Sequence, residues 1–254
     1  MRILVCIKRV PAPGARINVT PDGQAVDTAN LGFTMSPHEE CALEAGLQLV
    51  EAHGGSVTAL TLGPTEAEEQ LRYAASLGVG AVVLLPIGEL DWDPQRTARA
   101  IIAAITELEA AGGPFDLVLF GNESADSGGF QVGVRVARAH GRPMVTGAKG
   151  LTVDGETARV QREIDGVQEV YALPLPAMVG VKEGINLPRY PTMKGRLASR
   201  KAVIDALPID AEPGDQALER LLPPPEPESR LVVLGTGPDA AGAVVDLLAE
   251  RGLL

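Results

Sequence analysis

The sequence predicts an α/β fold: a doubly wound, mostly parallel sheet with an antiparallel hairpin extension and a C-terminal arm. Three observations carry this. From Ile3 to His140, short continuous apolar runs alternate with capped amphipathic segments, as in a parallel sheet built from βα units. After Lys149, Asp-Gly pairs separate alternating segments, which is hairpin chemistry. Beyond residue 205 the chain becomes proline-rich and ends in a short amphipathic run.

In chain order, "ILVCI" at 3–7 is a continuous apolar run, as expected of a strand buried on both faces. "INVTPDGQAVD" alternates around Pro21-Asp22-Gly23, a turn between short strands. "MSPHEECALEAGLQLVEAHGG" reads as a helix. Ser36 is its N-cap, Pro37 suits its first turn, and Glu39 completes a capping box. Ala42, Ala45 and Leu49 share one face, widened by Leu43, Leu47 and Val50, and Gly54-Gly55 ends the helix. "SVTALTLG" is a buried strand; Thr65 with Glu68 gives a second capping box, and a helix runs to Gly78. "AVVLLP" is the next strand, and Asp93-Pro94 opens a helix closed by Gly112-Gly113. "FDLVLFG", a glycine-rich loop and "QVGVRVARAHG" form the last strand–helix unit. "GLTVDGETARVQREIDGVQEVYALPL" then predicts an antiparallel meander laid against the parallel sheet, turning at Asp154-Gly155 and Asp165-Gly166. "LPPPEPESR" near 221–230 is a stiff linker. "DAAGAVVDLLAERGLL" is a last amphipathic helix, packed on its own domain or docked on a partner subunit. The expected division is an α/β domain over 1–205, then a linker and helix over 206–254.

Composition narrows the function classes. The chain has 254 residues, 45% hydrophobic but only 3% aromatic, so its core is mainly Ala, Val, Leu and Ile. A net charge of −11 argues against a nucleic-acid partner. Two cysteines, Cys6 and Cys41, lie in apolar patterns away from any metal-ligand spacing, which reads as a reducing compartment without disulfides. The first ten residues are too short for a signal-peptide core, and no segment approaches the ~20 apolar residues of a membrane span. The expectation is a cytoplasmic protein with no membrane insertion.

Ligands of open α/β sheets sit beyond the carboxyl ends of the strands, at the switch in strand order. Those ends are Cys6-Ile7, Leu62-Gly63-Pro64 and Gly121, with the helix start at 36–39 beside them. The loop "GNESADSGGFQVG", 121–133, is the longest glycine-rich run after a buried strand, and it opens a helix. It is either an ordinary strand-to-helix turn or an anion site made of backbone N–H groups and a helix N-terminus. It is neither a dinucleotide fingerprint nor a P-loop. Asn122, Ser124, Ser127 and Gln131 are polar groups that a turn does not require. Glu123 and Asp126 are awkward beside a phosphate, though a carboxylate there accepts from a ribose hydroxyl. His53 and His140 precede glycines at helix ends and read as C-terminal caps. His38 either touches the ligand or is plain surface. No Ser-His-Asp or Cys-His arrangement is visible, Cys6 reads as a small core residue, and no catalytic or metal-ligating residue is assigned. The pattern is that of a protein that binds.

Four stretches resemble the beta subunits of electron transfer flavoproteins. "ILVCIKRV" is similar to that family's first strand, and "MSPHEECALEAGLQL" to its "MNP-x-x-E-x-A-x-E-E-A" helix. "GNESADSGGFQVG" lies where the family has a "G-x-Q-A-x-D…Q-x-G" loop. "VQREIDGVQEVYALPLPAMVGVKEGINLPRYPTMKGR" resembles the long signature "REIDGG…E…LPAVV…NEPRYPT" and is the most specific of the four. The resemblance spans roughly 1–205. It implies an adenine-nucleotide-hydrolase-like sheet and a heterodimeric electron carrier without catalytic residues of its own. The beta subunit would bury AMP, and an alpha subunit would hold most of the redox FAD. The AMP contacts so implied fall on Cys6, Ser36, Pro37, His38, Glu39 and Leu62, and on Gly121, Asn122, Glu123, Ser124, Ala125, Asp126, Ser127, Gly128, Gly129, Phe130, Gln131 and Val132. The segment after "PRYPT" is implied to be a recognition loop, within about 182–201. The 182–201 stretch carries Arg189, Tyr190, Lys194 and Arg196, with Met193 at the position of an apolar anchor. Partners so implied are the alpha subunit, acyl-CoA or other flavin dehydrogenases, and a quinone oxidoreductase.

The recognition stretch is cationic on an acidic chain. Residues 182–201 hold six Lys/Arg and one acid, about +5, against −11 overall and so about −16 elsewhere. Such a loop steers encounter with an acidic partner, and a methionine supplies an adaptable apolar plug; the alternative is a solvated basic loop with Met193 buried in its own fold. Three departures stand out: Pro13 where many members carry a tyrosine near the flavin, Ser36 for the usual asparagine, and a loop unlike those of the best-known branches. In electron-bifurcating relatives a second FAD takes the AMP position, and Gly128-Gly129 leave room for one. Two readings of other classes remain. A nucleotide hydrolase would need a lysine or a metal-binding carboxylate pair in the loop, of which Glu123 and Asp126 are a weak version. A stand-alone adenine-nucleotide sensor would not need the hairpin, the "NLPRYPT" segment or the C-terminal arm.

Overall fold

In the first strand, β1 (Arg2–Ile7), side chains alternate between two apolar clusters. Ile3, Val5 and Ile7 face one; Leu4 and Cys6 face the other. A strand apolar on both faces must be covered on both, and the rest of the α/β unit supplies the covers. The computed structural model describes residues 1–88, 92–225 and 231–254. Two compact units divide the chain, Met1–Leu221 and Leu222–Leu254.

The first unit continues with β2 (Val10–Pro11) and β3 (Phe33–Thr34), a small antiparallel pair. The Pro21-Asp22-Gly23 turn lies between them, closed by a Val19–Val26 bridge. α1 (Pro37–His53) follows, then β4 (Ser56–Gly63), α2 (Glu68–Leu77), β5 (Ala81–Pro86), α3 (Pro94–Gly112), β6 (Leu117–Gly121) and α4 (Val132–His140). The C-terminal part of the unit holds β7 (Met144–Asp154), β8 (Thr157–Ile164), β9 (Val167–Pro174), β10 (Ala177–Val181), α5 (Met193–Ser199) and β11 (Ile204–Ala206).

Among the described residues nine strands form one sheet, ordered β11-β5-β4-β1-β6-β10-β7-β8-β9. Pairing is parallel from β11 to β7 and antiparallel from β7 to β9. The chain moves from β1 towards one edge through β4 and β5, then returns to the other side of β1 with β6. The switch point is therefore the β1–β6 boundary.

Two expectations need correction. The meander is not laid against the parallel sheet but extends it edgewise. β10, buried along its whole length, inserts between β6 and β7 and pairs with both in parallel. The second correction concerns Thr65 and Glu68, which form no capping box. Thr65–Ala67 make a 3₁₀ turn, and α2 starts without a side-chain cap. Ala67 is drawn fully into the core beneath Gly63, where a Cβ would stand 3.0 Å from Ala67 Cβ, and the tight turn this requires consumes Thr65.

The second unit carries a 3₁₀ turn at Pro238–Ala240 and α6 (Ala241–Glu250), no residue of which is buried. The proline-rich linker is described only to residue 225; its remaining residues, 226–230, lie outside the described residues. No helix among the described residues is long and apolar enough to cross a membrane.

Candidate functional site

At the carboxyl ends of β1, β4 and β6 lies a cavity of about 280 Å³. α1 brings Glu39 to it. The capping box forms as expected: Glu39 N–H donates to Ser36 Oγ (3.4 Å), and Ser36 N–H donates to Glu39 Oε2 (3.1 Å). The Lys8 backbone N–H also donates to this carboxyl. Burial nevertheless dominates and pushes the Glu39 pKa up to about 8, so the acid holds its proton at neutral pH. Gly121, ending β6, permits the approach: a Cβ there would lie 2.7 Å from Glu39 Cγ. Cys6 sits beside them, buried, and burial first, then the Glu39 charge, pushes its thiol pKa up, leaving it an inert wall.

The 121–131 loop is held by its own residues. Asn122 is anchored on both sides, its N–H donating to Val181 O (2.9 Å) and its Oδ1 accepting from Gly147 N–H (2.7 Å). Both acids of the loop meet basic side chains. Lys8 Nζ contacts Asp126 Oδ2 at 2.5 Å, and His38 Nε2 lies 3.3 Å from Glu123 Oε1. Burial alone would raise the Asp126 pKa, but the Lys8 charge and hydrogen bond outweigh it and hold the carboxyl below its usual range. Lys8 thus neutralises Asp126, and Glu123 lies against His38, whose Nδ1 accepts from Glu183 N–H. Ser124 and Ser127 share a 2.8 Å hydroxyl contact. Phe130, more than half exposed, adopts φ 54°, a left-handed conformation rare for an aromatic residue. α4 then starts with no side-chain cap, because Gln131 Oε1 accepts from Arg135 (2.9 Å) instead. Its first N–H groups are left for another acceptor.

The opposite wall is apolar: Leu60, Leu62, Ile101, Phe120 and Met144, with Trp92 beneath Arg96, whose guanidinium lies 3.8 Å from the ring centre. This arrangement can take a flat apolar ring against the wall and an anion at the start of α4.

Of the expected contact residues, Cys6, Glu39, Leu62, Gly121, Asn122, Glu123, Ser124, Ser127, Gly129, Phe130, Gln131 and Val132 line this cavity. Ser36, Pro37, His38, Ala125, Asp126 and Gly128 do not: Ser36 is buried as the cap, His38 turns to Glu123, and Asp126 pairs with Lys8. Sequence reasoning missed Lys8, Trp92, Pro94, Thr97, Ile101 and Met144. The rule that found Leu62 and Gly121 also applies to the end of β5, and would have reached the Trp92-Asp93-Pro94 helix start.

The expected recognition residues lie on the segment after β10. Tyr190 and Met193 are 88% and 77% exposed, so Met193 is not buried in its own fold. Met193 opens α5, which Thr192 caps by accepting from Gly195 N–H (3.0 Å). Gly195 presses onto α2, where a Cβ would stand 2.1 Å from Ser76 O. Lys194 and Arg196 are exposed. Arg189 instead binds α1, its Nε 2.7 Å from Glu44 Oε2 and its Nη1 2.5 Å from Glu51 Oε1. His53 and His140 end α1 and α4 before Gly54 and Gly141, but the backbone partner of the His140 imidazole is Ile102 of α3 rather than a last carbonyl of its own helix. No cluster of three or more His, Cys, Asp or Glu side chains arranged for a metal occurs among the described residues.

Comparison with known proteins agrees with the fold. Residues 25–212 match the model of the electron transfer flavoprotein domain. The chain is 33% identical to the electron transfer flavoprotein subunit beta of Bacillus subtilis, over 86% of this chain and 87% of that one. It is 30% identical to the subunit of the same name from Megasphaera elsdenii, over 99% and 97%, and 33% identical to the human one, over 86% and 84%. The chain belongs to the electron transfer flavoprotein family, as one of its beta subunits.

Proposed function

We propose that this beta subunit buries AMP in the cavity at the β1–β6 switch point, helps enclose the FAD of an alpha subunit, and docks flavin dehydrogenases through the 182–201 segment. The observation that carries the nucleotide reading is the cavity itself. Its volume of about 280 Å³ falls just under the range of small-ligand sites, roughly 300–1,000 Å³, which suits a mononucleotide better than a dinucleotide. The apolar wall suits adenine. The uncapped start of α4 suits a phosphate, with Lys8 and His38 drawing Asp126 and Glu123 aside. The beta-subunit relatives support an alpha partner, and α6 with the preceding linker is assigned to docking on it. The buried, unpaired cysteines suit a cytoplasmic setting.

FAD, when bound, supplies one- and two-electron redox chemistry. This chain's residues do the remaining work. The β1–β6 wall and the 121–131 loop hold the nucleotide away from water. Tyr190 and Met193 present an apolar anchor to the dehydrogenase, and Lys194 and Arg196 steer its approach. No step calls for an acid, base or nucleophile of this chain.

One specific observation favours a second reading. Cβ atoms added at Gly128 and Gly129 would meet nothing within 4 Å, which leaves space for a second FAD in a bifurcating relative. Extraction decides between the two. The chain is co-purified with its alpha subunit and denatured, and AMP and FAD are counted per heterodimer. One of each supports the carrier. Two FAD and no AMP make it bifurcating, and neither ligand overturns both readings and favours a nucleotide sensor.

A further inference from the structure

We infer that Arg189 is a positioning residue, which together with Glu44 clamps the 183–189 segment to α1 and thereby fixes the pose in which Tyr190 and Met193 meet a partner. The inference rests on the docking role proposed above.

The clamp is a zipper in constant register. Glu183 N–H donates to His38 Nδ1 (2.8 Å), Asn186 Nδ2 donates to Cys41 O (3.0 Å), and Arg189 Nε donates to Glu44 Oε2 (2.7 Å), each pair 145 residues apart in sequence. Cys41 Sγ returns a contact to Asn186 O at 3.7 Å. His38, Cys41 and Glu44 fall three residues apart on one stripe of α1, and Glu51 extends it one heptad further. Three residues advance a helix by about 4.5 Å, so the segment must stay coiled to keep pace, as its turns at 183–186 do.

Arg189 closes the zipper most firmly. Its guanidinium and its backbone N–H together make three bonds to Glu44, and both Nη atoms reach Glu51. Glu44 is 4% exposed. Removing the arginine would leave a buried carboxylate without its cation, which is costly. Tyr190 is the next residue and Met193 lies one turn on, both exposed. An exposed apolar anchor binds well only when its backbone is held beforehand. A guanidinium already engaged by two carboxylates has little charge left for a partner.

The test uses the heterodimer with FAD content checked, in wild-type, Arg189→Gln, Glu44→Gln, Lys194→Gln and Met193→Ala forms. Amide hydrogen exchange over 183–192 should quicken at least tenfold in both Arg189→Gln and Glu44→Gln and remain unchanged in Met193→Ala. Unchanged exchange in Arg189→Gln would overturn the clamp. Docking is read as KM for the heterodimer accepting electrons from an acyl-CoA dehydrogenase reduced by its substrate, across ionic strength. Arg189→Gln and Glu44→Gln should both raise KM several-fold at constant kcat and leave its salt dependence intact, while Lys194→Gln flattens that dependence. If Arg189→Gln flattens the salt dependence and Glu44→Gln leaves KM unchanged or lower, Arg189 meets the partner itself and the inference falls. If Met193→Ala leaves KM unaltered, the docking role fails, while exchange still judges the clamp separately.

Discussion

Glu39→Gln tests the electrostatics of the site most directly. The wild-type acid is 5% exposed and accepts two backbone N–H bonds, from Ser36 and Lys8, which favour its charged form. Burial outweighs them and lifts its pKa from 4.5 to about 8. A folded-state pKa raised above the unfolded value makes stability greatest at low pH. Below pH 4.5 both states hold the proton. Between 4.5 and about 8 the unfolded chain releases a proton that the folded chain keeps, and stability declines through that window. The full span corresponds to at most roughly 5 kcal/mol. Glutamine removes the titration. Its carbonyl keeps one N–H partner, while its amide faces the other donor at a cost of about 1–3 kcal/mol. Wild type should therefore equal or exceed Glu39→Gln in stability at pH 5, and the variant should be the more stable of the two near pH 8. Denaturation of both heterodimers in urea from pH 5 to 9 reads the difference, in which titrations elsewhere cancel. Parallel curves would refute the reasoning, because they would mean that Glu39 is ionised throughout or titrates alike in both states.

Gly121→Ala places a Cβ 2.7 Å from Glu39 Cγ and 3.4 Å from His38 Cβ. Because the Glu39 carboxyl is pinned, overpacking should cost about 1–3 kcal/mol, lowering Tm and the AMP content of the purified heterodimer; an unaltered Tm would count against the close approach. Trp92, the chain's single tryptophan, lines the cavity. The difference in emission between wild type and Trp92→Phe should change when AMP is removed and return when it is restored. Met193→Glu should raise the KM for reduced dehydrogenase at least tenfold, by placing a desolvated charge at the apolar anchor, with AMP and FAD contents unchanged.

The legible parts were those specified locally. Ser36, Pro37 and Glu39 stand together in sequence, and their capping box formed as read. The Asp154-Gly155 and Asp165-Gly166 turns likewise produced the β7–β8–β9 meander. The illegible parts were decided by pairing at a distance. "AMVGV" lies beyond the predicted meander and carries no local signal that assigns it to an element, yet it forms a strand between β6 and β7. Thr65 carries a good capping signal that the packing of Ala67 overrides. Within the site, the loop and the strand ends came from rules about βα units, which also extend to Trp92 after β5, whereas Met144 reaches the cavity only through strand order. Arg189 is the sharpest case. A count of charges groups it with Lys194 and Arg196, and only the fold shows that its partners are Glu44 and Glu51, 145 and 138 residues earlier.

That reassignment changes how the cationic segment works. Lys182, Lys194, Arg196, Arg200 and Lys201 remain exposed, on a chain whose net charge is −11. Exposed charges of this kind act mainly on the rate of encounter and are screened over about 8–10 Å at physiological salt. The clamp acts on a different quantity. It spends charge internally, on a carboxylate that is 4% exposed, to fix a backbone whose apolar tip must be ready before contact. Speed of approach and readiness of pose are thus assigned to different arginines and lysines of one twenty-residue stretch. An electron carrier profits from this separation, because it must dock and leave within each turnover. Strengthening the anchor would slow departure, whereas exposed charges hasten arrival and leave the dissociation rate, set largely by the apolar contact, little changed.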